Sequence, residues 1–416
     1  MSVASTHLDC GLTVVTEAMP DVRSVSMGFW VGTGSRDESP EVAGASHFLE
    51  HLLFKGTNTR SARDIAEAID AVGGDINAFT TKEYTAFYVR VLAESLDMGL
   101  DILSDIMWAP AFRPEEIESE RQVILEEILM HADEPADLVH EVFLDALYPG
   151  HPLGRDVLGD EATISAMSRD DVAVFHRHHY RPGNVLLAAA GDLDHDRVVA
   201  CVDKRFTGRR GGASPARTEP ASPPRPVAVV RRPTEQAHLV VGARSLDRDD
   251  DDRYALAVLN HVLGDGMSSR LFQEIRERRG LVYSVYSYRA AYQGSGAFAV
   301  YAGTTPSKAG EVLELIHAEF DRLLDSGITE ADLARAKSHV EGSMALSLED
   351  SGARMSRIGR SQMVHGRVPT LEELDEKLRA VTLADVDRVA HRILGGPQVL
   401  AAVGPFDEGS FPVPPG

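Results

Sequence analysis

The stretch HFLEHLLFKGT, residues 47–57, sets His47, Glu50 and His51 three and four positions apart. On an α-helix such positions share a face, so two imidazoles can converge on one point with a carboxylate beside them. Zinc takes nitrogen and carboxylate ligands in a tetrahedral shell, and a catalytic site leaves one position open for water. The order H-x-x-E-H inverts the H-E-x-x-H zinc helix. A helix that merely carries two histidines four apart would give the same five residues, and the pattern alone does not separate the two readings.

A third protein ligand must complete such a site. The segment 112–135 offers Glu115, Glu116, Glu118, Glu120, Glu126 and Glu127. Glu127 shares a helical face with Val123 and Ile124, and with Glu120 seven positions back. A carboxylate among apolar neighbours is costly unless it is paired or bound to metal. Glu126 stands as the alternative.

The elements that would position these side chains follow a regular plan. Residues 11–16, 24–31, 75–81, 84–92 and 184–192 read as strands, rich in β-branched and aromatic residues and bounded by turn formers. The zinc-type helix, SARDIAEAIDAVGG, 95–108, the Glu-rich 112–135 and 168–180 read as helices. Residues 208–226 hold five prolines without apolar periodicity, which is the composition of a linker. Beyond it the plan repeats. Strands at 227–232 and 237–244 lead to helix 254–266 and a second helix, SSRLFQEIRERRG. Strands LVYSVYSYRA and SGAFAVYAG follow, then two long helices. TLADVDRVAHRILGGPQVLAAVG mirrors SRDDVAVFHRHHYRPGNVLLAAAG. The expectation is a duplicated α+β chain, residues 1–207 and 227–416 flanking the linker.

Overlaying the halves puts AVLNHVL, residues 257–263, on HFLEHLL. Ala257 then stands at the His47 position and Asn260 at the Glu50 position, and only His261 persists. The second half is therefore expected to be metal-free, with His261 structural and one Zn2+ per chain.

Composition narrows the setting. Against 42 Lys and Arg stand 64 Asp and Glu, a formal charge of −22. That argues against nucleic acid and anionic membrane as partners and mildly for cationic substrates. Cys10 and Cys201 are the two cysteines, the N-terminus lacks a secretory pattern, and no apolar run is long enough to span a bilayer. A cytoplasmic protein is expected.

Several of these segments together resemble a known family. HFLEHLLFKGT, DINAFTTKEYTAFY, ESERQVILEEI with glutamates seven apart, HPLGRDVLG, FHRHHYRPGN and SSRLFQEIRERRGLVYSV are similar to the pitrilysin/insulinase metallopeptidases. The likeness is greatest to the mitochondrial-processing-peptidase branch and its bacterial homologues. It covers nearly the whole chain. The resemblance implies sheets packed on one face by helices. It implies His47, His51 and Glu127, 76 positions past His51, as zinc ligands. Glu50 becomes the general base toward a zinc-activated water, and Glu120 a supporting carboxylate. Asn77, Ala78 and Phe79 become strand-addition contacts to an extended peptide. Glu83 is expected either to orient a histidine or to be a solvated charge. Arg276 and Tyr283 become donors to substrate and tetrahedral intermediate, with Arg278 and Arg279 as exposed helix charges. The family encloses peptide between four such domains and this chain has two, so a homodimer is expected, with a closed monomer as the alternative. The competing readings are a non-catalytic assembly subunit, whose relatives lose parts of the zinc motif, and a short single-domain lyase that shares H-x-x-E-H.

Overall fold

A computed structural model describes residues 3–205 and 210–414, so the linker's first two residues, 208 and 209, and the boundary residue 207 lie outside the described residues. In chain order β1 (Val3–His7), β2 (Thr13–Ala18) and β3 (Ser24–Val31) precede α1 (Ala45–Leu53) and α2 (Ala62–Asp70). Next come β4 (Asp75–Thr80), β5 (Thr85–Leu92), α3 (Leu96–Trp108), α4 (Pro114–Asp133) and α5 (Pro135–Leu147). Then follow α6 (Glu161–Ala166), α7 (Arg169–His179), β6 (Val185–Gly191) and α8 (His195–Arg205). The second half holds β7 (Val227–Arg231), β8 (Ala237–Ser245), α9 (Arg253–Leu263), a π-helix over Phe272–Arg278, β9 (Val282–Tyr292) and β10 (Ser295–Thr304). It closes with α10 (Ala309–Ser326), α11 (Glu330–Ser347), α12 (Ser351–His365), α13 (Leu371–Ala380), α14 (Leu383–Leu394) and β11 (Gln398–Gly404).

The strands form two mixed sheets, ordered β1-β2-β6-β3-β5-β4 and β7-β11-β8-β10-β9. Without β1 the first order maps strand for strand onto the second. The parallel pair is β2 with β6 in one sheet and β7 with β11 in the other, and the remaining pairs are antiparallel. The repeat read from sequence is thus a repeat of topology.

Alternation along the strands explains the layers. In β3, Val25, Met27, Phe29 and Val31 face a core with α1 and α3, while Trp30 faces the other side. Most helices cover one face of each sheet, as expected, but a single helix covers the opposite face. In the first sheet it is α12: Met355 and Ile358 pack on Val15, Trp30, Leu186 and Ala188. Glu17, buried in β2, accepts from Arg354 at 2.5 Å and Arg357 at 3.1 Å, and Ser351 meets Ser26 at 2.9 Å. In the second sheet it is α5: Val139, Phe143 and Leu147 pack on Val240, Ala299, Val399 and Ala401.

The compact units therefore differ from a cut at the linker. The first takes in residues up to Ile128, then Asp156 to Ala216, and Ala345–Pro369; the second takes in Leu129–Arg155, Arg217–Met344 and Thr370 to the C-terminus. Helix α5 lies early in the chain but belongs to the second unit, and α12 lies late but belongs to the first. The cause is apolar burial: each of these helices carries the stripe that its sheet's second face needs. Strand β1 and helices α6, α8, α12 and α13 were not anticipated from the sequence, and the SSRLFQEIRERRG helix is a π-helix over its central residues.

Candidate metal centre

Helix α1 is held from both ends of its sequence logic. Its apolar residues Phe48, Leu49, Leu52 and Leu53 are buried, which leaves His47, Glu50 and His51 on the remaining face. Its N-cap, Gly44, sits at φ +90°, and a Cβ there would lie 2.5 Å from the Leu158 carbonyl, so glycine is required. The buried Glu38 carboxylate accepts the N–H groups of Gly44 and Ser46, each at 2.7 Å. An anion at a helix N-terminus satisfies open donors and complements the macrodipole.

The three expected ligands converge. Glu127 Oε2 lies 3.7 Å from His47 Nε2 and 3.5 Å from His51 Nε2, and the two rings are 4.7 Å apart, centre to centre. Donors about 2.1 Å from a tetrahedral zinc would stand roughly 3.4 Å from one another, so the spacing fits the ion. The donor set, two imidazoles and a carboxylate, is that of a catalytic zinc with an open fourth position. Glu126 is exposed on the other side of α4 and takes no part.

Around this triplet lies a supporting layer. Glu120 is buried, and its Oε2 meets His51 Nδ1 at 3.1 Å while its Oε1 takes Lys55 Nζ at 2.8 Å. With the Nδ1–H given to Glu120, the lone pair of His51 Nε2 faces Glu127, which fixes ring orientation and raises ligand basicity. Glu50 accepts the Thr80 hydroxyl at 2.6 Å. Burial pushes the Glu50 carboxyl above the usual carboxylate range and Glu127 adds to this, while the Thr80 hydrogen bond and His51 oppose it. Lys55, Thr80 and Glu38 were missed. Lys55 stood in the quoted stretch, two residues past the end of α1. Thr80 in a strand and Glu38 in a loop carried no local signal.

Strand β4 is an edge, paired among the described residues to β5 alone. Asn77 is exposed, and its Oδ1 accepts the Ala78 N–H at 2.8 Å. Ala78 faces the α1 core, whereas Phe79 joins Trp30, Tyr84 and Tyr88 in an aromatic group on the other face. What this strand can offer a peptide is therefore backbone and Asn77, not the Phe79 ring. Glu83 is not a solvated charge. It is buried against Arg36, whose NH1 donates to its Oε1 at 2.6 Å. Pairing of Ser35 and Arg36 amides with Thr81 and Lys82 carbonyls holds the two loops together.

In the second unit Arg276 lies with its guanidinium 4.7 Å from the Phe272 ring centre and 5.5 Å from that of Tyr283, which is 83% exposed. The pair is thus assembled and accessible. Arg278 and Arg279 are both taken up by Glu274, at 2.9 and 3.0 Å. Asn260, at the position equivalent to Glu50, is buried and accepts from Ser287 at 2.9 Å.

The chain is similar to known proteins in both sequence and fold. Residues 13–161 match the family described as Insulinase (Peptidase family M16), and residues 166–340 match that described as Peptidase M16 inactive domain. An uncharacterized zinc protease of Streptomyces coelicolor is 44% identical over 416 residues, covering 98% of this chain and 90% of its own length. One of Bacillus subtilis is 40% identical over 395 residues, covering 95% and 96%. Among solved structures, a peptidase M16 inactive domain from Pseudomonas fluorescens superposes with a TM-score of 0.91 at 23% identity over 100% of both chains. A Helicobacter pylori protease gives 0.90 at 24% identity, over 97% of this chain and 99% of its own.

Proposed function

The chain belongs to the insulinase (M16) family of peptidases, and from that premise we propose that it is a zinc-dependent endopeptidase acting on unfolded peptides or N-terminal extensions. The observation that carries the reading is the convergence of His47, His51 and Glu127 beside a half-buried, hydrogen-bonded Glu50. His47, His51 and Glu127 would hold one zinc, which supplies Lewis acidity toward a water molecule and the scissile carbonyl.

Glu50 takes the proton from the attacking water and returns it to the leaving amine. Its burial suits the task, because a carboxylate with a raised pKa accepts a proton more readily at neutral pH. Thr80 keeps the accepting carboxylate aimed, and Glu120 with Lys55 keeps the His51 ring aimed. An extended peptide adds to the free edge of β4, where Asn77, Ala78 and Phe79 supply backbone pairing and the Asn77 amide yields its hold on the Ala78 N–H. Arg276 and Tyr283 donate to the developing oxyanion. In this reading they come from a second copy of the chain, so that a homodimer encloses the peptide. Basic peptides suit the −22 charge. Free Cys10 and Cys201 suit a reducing cytoplasm, and no helix among the described residues is long and apolar enough to cross a membrane.

The test is cleavage of a quenched unfolded-peptide library by purified protein. Expected are activity, its loss on chelation and its return with Zn2+. Cleavage unaffected by a chelator, or none by zinc-loaded protein, overturns the reading.

A further inference from the structure

Helix α9 and helix α11 occupy in the second unit the chain positions that α1 and α4 occupy in the first. Between them a second group of potential ligands comes together. The His261 ring lies on the His339 ring, 4.0 Å centre to centre and 17° from parallel. Asp265, just past the end of α9, brings its carboxylate close, so that one donor atom from each of the three lies within 4.8 Å of the others. His261 is 4% exposed, and its Nδ1 is buried with no hydrogen-bond partner. Gly266, at φ +107°, turns the chain so that a Cβ on it would lie 3.8 Å from His261 Cε1; the ring edge between the two nitrogens is directed at the Asp265 turn.

A buried ring nitrogen without a partner gives up its hydration for nothing, and such a group in a folded protein calls for an explanation. Two imidazoles and one carboxylate form a donor set for a late first-row divalent cation: imidazole suits zinc, nickel and copper, and calcium and magnesium prefer all-oxygen shells. We propose that His261, Asp265 and His339 form a second divalent transition-metal site, joining α9 to α11. His261 descends from the first unit's ligand pattern, since it stands where His51 does. His339 lies on α11, the helix whose chain position matches α4. The site has no hydrolytic partner, because Asn260 replaces the base and is bound to Ser287. Its effect is therefore to clip two helices together and to make the second unit's stability respond to metal. With two of the three ligands exposed, binding is weaker than at His47, His51 and Glu127.

Metal counting decides this independently of the peptidase reading. Full-length Glu127→Ala protein, stripped by chelation and equilibrated with Zn2+ or Ni2+, is expected to bind one equivalent more than Glu127→Ala/His339→Ala, and its melting temperature to rise with metal. His339→Ala and Asp265→Asn, both at exposed positions, avoid the folding risk of replacing buried His261. In the otherwise unaltered chain, each is expected to abolish the Co2+ absorption of the second site and leave peptide cleavage unchanged. Equal metal content with and without His339, or a melting temperature that metal shifts equally in both, overturns the proposal.

Discussion

Thr80 donates its hydroxyl to Glu50 across 2.6 Å, tying the edge strand β4 to the helix that carries both histidines. A hydrogen bond to a charged group contributes about 1.5–3 kcal/mol. Thr80→Val is therefore expected to lower kcat by about 10–100-fold with metal content unchanged, and Thr80→Ser to restore most of it. A loss confined to KM would mean that Thr80 serves peptide binding instead.

Metal retention separates the glutamates. Glu127→Ala should lose bound zinc and Glu126→Ala should keep it, as read by elemental analysis. Glu120→Ala, which frees the His51 ring, should weaken zinc by about 10–100-fold in a buffered titration. Glu50→Gln should hold zinc normally yet lose turnover by orders of magnitude; near-normal turnover there would remove Glu50 from the chemistry.

Subunit mixing tests how the site is composed. Glu50→Gln and Arg276→Ala chains, each inactive alone, are expected to regain activity when mixed, because one hybrid site then has both an intact Glu50 and an intact Arg276. Absence of recovery would place Arg276 and Tyr283 in the same chain's own site.

Stability should respond to pH through His179. Burial, with His178 beside it, lowers its pKa to about 4 from 6.5. The folded state thus stays neutral where the unfolded state takes a proton. Stability is complete above pH 6.5 and declines between 6.5 and about 4, by at most about 1.4 kcal/mol per unit. His179→Gln should flatten that slope in denaturation curves, and an unchanged slope would assign it to other groups.

Two glycines should behave oppositely. A Cβ on Gly359 would fall 2.5 Å from the Trp30 ring, whereas one on Gly342 meets nothing within 4 Å. Gly359→Ala should cost about 1–3 kcal/mol, and Gly342→Ala, inside α11, should add roughly 0.5–1 kcal/mol. Denaturant midpoints report both.

Much of this was legible locally. Helical periodicity puts His47, Glu50 and His51 on one face of α1 but leaves Glu126 beside Glu127; the family resemblance names Glu127, and the fold brings it to the two histidines. The duplication was legible from the repeated succession of strand and helix types, and the shared strand order came from the fold. What stayed hidden depends on distant partners. Nothing near Glu83 announces Arg36, nothing near Thr80 announces Glu50, and nothing near His339 announces the stacked ring of His261. Likewise α5 and α12 look like ordinary amphipathic helices, and only the uncovered sheet faces decide where each one goes.

That exchange of helices has a consequence for biosynthesis. The face of the first sheet bearing Trp30, Leu186 and Ala188 receives Met355 and Ile358 only after α12 has left the ribosome. Translation proceeds at about 5–20 residues per second, so this apolar surface waits seconds to tens of seconds for its cover. A fragment ending at the linker would carry that exposed face permanently.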